Sequence, residues 1–154
     1  MGVLAGWVRK PGWTWRTPFG GGKATADDEP AVHITFDEAQ SFRRWAGGHL
    51  PSDAQWLSAA CTEQRPVPPP PFERGKTFRY PSGDSAAGAQ CLDDCGAAAH
   101  SRAVHHGAKL LRGHGRARGG SRWYGAAQMC AEHLQSKPPG TAVVYIGFRC
   151  ARGP

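Results

Sequence analysis

The chain has no long apolar run. Nothing in its 154 residues approaches the ~18 consecutive apolar positions a membrane-spanning helix needs. The opening segment, residues 1–13, places Trp7, Pro11 and Trp13 where a secretory signal wants an unbroken Leu- and Ala-rich stretch. Gly6 stands where N-myristoylation requires Ser or Thr. A cytoplasmic protein with reduced thiols is the expectation, with no membrane partner. Several catalytic signatures are also missing. There is no G-x-S-x-G elbow, no phosphate-binding P-loop, no H-E-x-x-H helix, and no carboxylate pair in an apolar setting. No internal repeat is present.

Acidic residues are nearly absent from the C-terminal part. Eleven of the twelve lie at or before Asp94, leaving Glu132 against nine Lys and Arg. The net charge of +7 is therefore concentrated; such a region suits anionic partners, and the alternative is a solvated face that only keeps the protein soluble. Residues 102–122, with Arg102, Lys109, Arg112, Arg116 and Arg118 among glycines, are a candidate nucleic-acid-binding tract. Such tracts work by counterion release, without sequence readout. Five cysteines cannot all pair within one chain.

What is abundant is Gly (21) and Pro (13), with only 40% hydrophobic residues. That mixture predicts one compact, loop-rich α+β domain over residues 1–154. A Pro-rich loop is expected at 62–76; its Pro68–Pro71 run could also form polyproline II. A basic Gly/Ala/His-rich loop is expected at 85–120. Trp7, Trp13 and Trp15 read as rings packed beneath a loop. Alternation over residues 32–36 predicts a half-buried strand. Thr35 and Glu38 then form a capping box, opening a helix near 36–46 whose buried face is Ala39, Phe42, Trp45 and Ala46. Ser52 and Gln55 open a second helix near 52–61, facing inward through Trp56, Leu57 and Ala60. Residues 102–111 form the one further helical candidate. The β-branched, aromatic run at 142–150 predicts a buried strand.

Four segments, in order, carry a resemblance. They are residues 30–56, ending in Leu50-Pro51-Ser52-Asp53-Ala54-Gln55-Trp56; Tyr80-Pro81-Ser82-Gly83-Asp84; Arg118-Gly119-Gly120-Ser121; and Ile146-Gly147-Phe148-Arg149-Cys150-Ala151-Arg152. Together the sequence resembles the formylglycine-generating enzyme, or sulfatase-modifying factor, family, and is expected to be bacterial. The resemblance implies a C-type-lectin-like fold with little regular secondary structure. It also implies a chain shortened at its N-terminus and lacking the segment before Arg118 in which relatives hold calcium. In oxidising members a cysteine pair three and eight residues past the motif serine binds copper, since soft thiolates select Cu(I). Ser121 matches that serine, whose other role is to hold the Gly-Gly turn. The pair's positions hold Tyr124 and Met129, and Cys130 follows.

The resulting expectation is a non-oxidising pseudoenzyme scaffold. Its binding pocket would involve Ser121, Arg122, Trp123, Tyr124 and Met129. One alternative is an active copper oxidase using Ser121 and Cys130, and another is a remnant without activity. Copper and calcium are implied by the resemblance, but their ligands are largely missing. Separately, Cys91, Cys95, His100 and His105 form a candidate Cys2His2 zinc set with unusually short spacing. The alternative for these four is a loop with coincidental ligands.

Overall fold

A computed structural model describes residues 8–87, 108–110, 115–121 and 124–152. Two α-helices are its longest elements. Helix α1 spans Phe36–Trp45 and α2 spans Asp53–Cys61. Both begin as the sequence predicts, because each start satisfies its orphan amides with side chains. The Thr35 amide donates to Glu38 Oε2 at 2.7 Å and the Glu38 amide returns to Thr35 Oγ1 at 3.3 Å. At α2 the Ser52 amide donates to Gln55 Oε1 at 2.8 Å and the Gln55 amide to Ser52 Oγ at 3.2 Å. Ser52→Ala removes one half of this exchange. It is expected to lower stability by about 1 kcal/mol, read as a shift in urea midpoint at unchanged slope.

The buried face of α1 differs from the expected one. Phe36, Ala39 and Arg43 turn inward, whereas Phe42 is 46% and Trp45 81% exposed. The stripe i, i+3, i+7 is as helical as the aromatic one. It wins because Phe36 and Ala39 close on Leu50, with Ile34 and Phe148 alongside. Helix α2 keeps Trp56 and Cys61 inside, with Leu57 and Ala60 half-buried and Ala131 in the same cluster.

Three short strands form an antiparallel sheet in the order β1 (Ala108–Leu110), β2 (Gly115–Arg118), β3 (Gln135–Lys137). Ala117 at its centre is registered with Lys109 on one side and Gln135 on the other. The helix expected over 102–111 is therefore a strand where it is described. Pairing with β2 overrides a weak periodicity.

Two expected strands are irregular. Over 32–36, His33 takes a positive φ of 55° and its amide donates to the Val143 carbonyl at 3.1 Å. Over 142–150 the chain turns at Val144–Tyr145, with the Ile146 amide reaching back to the Val143 carbonyl. Tyr145 and Ile146 are buried as expected, but the neighbouring backbones are loops, so burial occurs without a ladder. Gly147 is required here, since a Cβ would lie 2.7 Å from the Ala31 carbonyl oxygen. Of the three tryptophans, Trp7 lies outside the described residues, Trp13 is half-buried, edge-on to Phe19 and His33, and Trp15 is 45% exposed beneath the Arg16 guanidinium. Among the described residues no helix is long and apolar enough to cross a membrane.

Candidate functional site

Strand β2 leads directly into the candidate site. Gly119 and Gly120 both have positive φ, 91° and 62°, which returns the chain under Ser121. Ser121 is 1% exposed, and its carbonyl accepts the Tyr124 amide at 3.0 Å. A single 3-10 turn, Ala126–Met129, follows. It drives Met129 and Cys130 into a cluster with Tyr80 and Ala126.

Tyr124 is held by a residue 21 positions further along the chain. Its hydroxyl donates to the Tyr145 hydroxyl at 2.8 Å, and the two rings meet edge to face with centroids 5.4 Å apart. Both phenols border a small cavity of about 10 Å³, with Arg118, Gly120, His133 and Gln135 also lining it. That is room for a single water-sized group. Met129 and Cys130 point elsewhere. The Cys130 thiol donates to the Ala127 carbonyl at 3.2 Å. The structure thus joins Ser121 and Tyr124 at one turn and sends Met129 and Cys130 into the core beneath it.

Arg118 organises the surroundings and is 7% exposed. Its Nη2 donates to Asp53 Oδ2 at 2.9 Å, its Nε to Asp53 Oδ1, and its Nη1 to the Ala131 carbonyl. It also lies over the Trp56 ring at 5.9 Å. Arg118 also belongs to the candidate nucleic-acid-binding tract of residues 102–122. Spent on Asp53 and Ala131, it is withdrawn from any nucleic-acid contact, although Arg116 on the same strand is exposed. The signal for the pairing was present but ambiguous, because Asp53 also reads as an ordinary first-turn helix acid.

Around this site, Tyr145 and Cys61 titrate away from their ordinary range. Burial first, then the hydrogen bond and charge of Tyr124, push the Tyr145 phenol well upward. Burial pushes the Cys61 thiol up, opposed by Arg118 and assisted by Cys130. A raised folded-state pKa means the native state holds its proton longer than the unfolded chain does. The stabilisation is complete below the unfolded value and is lost as pH rises through it towards the folded one. Stability is therefore expected to fall from pH ~8.5, where a free thiol begins to ionise, and more steeply from pH ~10, where a free tyrosine does. Urea midpoints between pH 7 and 11 check this. A flat profile contradicts it.

Arg122 and Trp123 of the expected pocket lie outside the described residues, as do all four zinc candidates, Cys91, Cys95, His100 and His105. Among the described residues no three His, Cys, Asp or Glu gather as a metal site.

Comparison with known proteins adds a family. Residues 3–103 match the sulfatase-modifying factor enzyme 1-like domain. A formylglycine-generating enzyme of Thermomonospora curvata is 39% identical over 56 residues, 35% of this chain and 18% of that protein. A hercynine oxygenase of Mycolicibacterium thermoresistibile is 35% identical over 71 residues, 46% of this chain and 14% of the relative. A hercynine oxygenase of Mycobacterium tuberculosis is 29% identical over 108 residues, 58% of this chain and 25% of the relative. The chain spans a quarter or less of the length of each of these three proteins.

Proposed function

Because this chain belongs to the sulfatase-modifying factor enzyme 1-like family, we propose that it serves as a non-oxidising binding scaffold of that family, with a C-type-lectin-like fold. The stretch between Ser121 and Ile146 presents the contact residues. The observation that carries this reading is the Tyr124–Tyr145 hydroxyl pair at 2.8 Å. At the two positions where the family resemblance places copper thiolates stand a phenol already bonded to a second phenol and a thioether buried against Tyr80. That donor set does not fit Cu(I), which is selected by paired soft thiolates. Cys130, one residue further on, has its thiol turned to the Ala127 carbonyl.

In this reading Ser121 holds the Gly119–Gly120 turn. Tyr124 anchors the loop to the core. Arg122 and Trp123, between these two fixed residues in sequence, meet the ligand. Arg118 positions the turn through Asp53 without touching a ligand.

The test is aldehyde formation on a cysteine-containing sulfatase-type peptide, with the purified chain, copper and oxygen supplied. No formylglycine is expected. Conversion that disappears in Cys130→Ser would replace the scaffold reading with that of an active oxidase.

A further inference from the structure

A second site lies across the domain, where the C-terminal end of α1 meets residues 148–152. The His49 and Ala151 amides exchange backbone hydrogen bonds at 2.9 and 3.0 Å, which fixes the two segments together. Arg43 sits beside this junction. It is only 6% exposed, yet its Nε is buried without a hydrogen-bond partner, and among the described residues no carboxylate pairs with it.

A buried guanidinium N–H with no acceptor among the described residues is costly. The helix C-terminus favours a cation in the last turn, but it leaves the N–H donor unpaired. Arg152 makes the deficit larger: burial first, then the charge of Arg152, pulls Arg43 below the ordinary arginine range. Among the described residues these two cations share no counter-charge.

The walls are aromatic. The Arg43 guanidinium carbon is 5.0 Å from the Phe42 ring centroid and 5.9 Å from that of Phe148. Phe42 in turn lies 5.5 Å from both Phe148 and Trp45. Phe42 is 46% and Trp45 81% exposed, so the rings form an open apolar platform beside the unpaired donor.

We propose that Arg43, Arg152 and the Phe42–Trp45–Phe148 rings form a binding site for a small aromatic carboxylate. The planar acid matches the edge of a guanidinium, which can donate two parallel hydrogen bonds, and supplies the missing charge. Its flat apolar body covers Phe42 and Trp45, surface that a hydrated phosphate would leave bare.

The full-length chain, labelled with ¹⁵N, is titrated with sodium benzoate at constant ionic strength, following the Arg43 Nε–H and Trp45 indole N–H resonances. Both are expected to shift and saturate together. Arg43→Met keeps the apolar stem and is expected to weaken binding about tenfold or more. Arg152→Gln, at an exposed position, is expected to weaken it about threefold. Inorganic phosphate, titrated separately, is expected to leave the Trp45 signal without saturation. Linear benzoate shifts, equal affinity in Arg43→Met, or saturation by phosphate alone each overturn the site. If Arg43→Met fails to fold, Arg152→Gln decides, and unchanged affinity there overturns the site.

Discussion

Gly120→Ala is expected to destabilise the domain by about 3 kcal/mol, the sum of overpacking and a left-handed backbone penalty. At φ 62° any Cβ is strained. In addition, that Cβ would stand 2.9 Å from both the Gln128 carbonyl oxygen and Met129 Cγ, and 3.1 Å from the Gln128 carbonyl carbon. The Met129 side chain could shift, but the Gln128 carbonyl belongs to the 3-10 turn that buries Met129 and Cys130. Relief therefore requires moving the turn itself. Gly140 is the control: it has no positive φ and nothing within 4 Å of a built Cβ, so Gly140→Ala is expected within about 0.5 kcal/mol of the parent. Denaturant unfolding of the two variants checks the contrast. Similar midpoints for both would mean that the Gly120 turn is not held as described.

Asp53→Ala is expected to cost a similar amount, about 3 kcal/mol, at the low end of what breaking a buried ion pair costs. The low end applies because the Asp53 side chain is 38% exposed while that of Arg118 is 7% exposed. The loss comes mainly from what remains. Arg118 stays buried against Trp56 with only the Ala131 carbonyl as acceptor. Replacing both partners with apolar residues of similar volume, Asp53→Leu with Arg118→Met, removes the stranded charge. The double variant is accordingly expected to be more stable than Asp53→Ala alone. A double variant no more stable than Asp53→Ala would mean that the stranded Arg118 charge is not the source of the loss.

Much of this architecture was legible in the residues because it is local. Thr35/Glu38 and Ser52/Gln55 mark both helix starts, and each box forms with both of its bonds. Burial at Tyr145 and Ile146 also followed from their apolar run. What failed depended on distant partners. Phe42 and Trp45 share a helical stripe, but whether that stripe or the one through Ala39 faces inward is decided by Leu50 and Phe148. The 142–150 run has strand composition without a strand to pair with. Lys109 and Leu110 entered a strand because β2 lies alongside.

The candidate site was half legible. The Gly-Gly-Ser motif points to a tight glycine turn, and Gly119 and Gly120 both take positive φ there, with Ser121 buried behind them. Nothing near Tyr124 in sequence indicates Tyr145, 21 residues on, or that a guanidinium in a basic tract would be drawn inside by Asp53, 65 residues away. Arg43 was invisible for the same reason, since a last-turn arginine ordinarily points to solvent.

The most direct measurement of the proposed scaffold role is a Cu(I) titration of the reduced full-length chain against a competing chelator, repeated on Cys130→Ser. Two soft thiolates would outcompete the chelator, whereas a Tyr124 phenol and a buried Met129 thioether would not. The expected result is that Cys130→Ser changes neither the copper stoichiometry nor the affinity. One tightly held equivalent that vanishes in Cys130→Ser would contradict the scaffold reading and return the chain to copper-dependent chemistry.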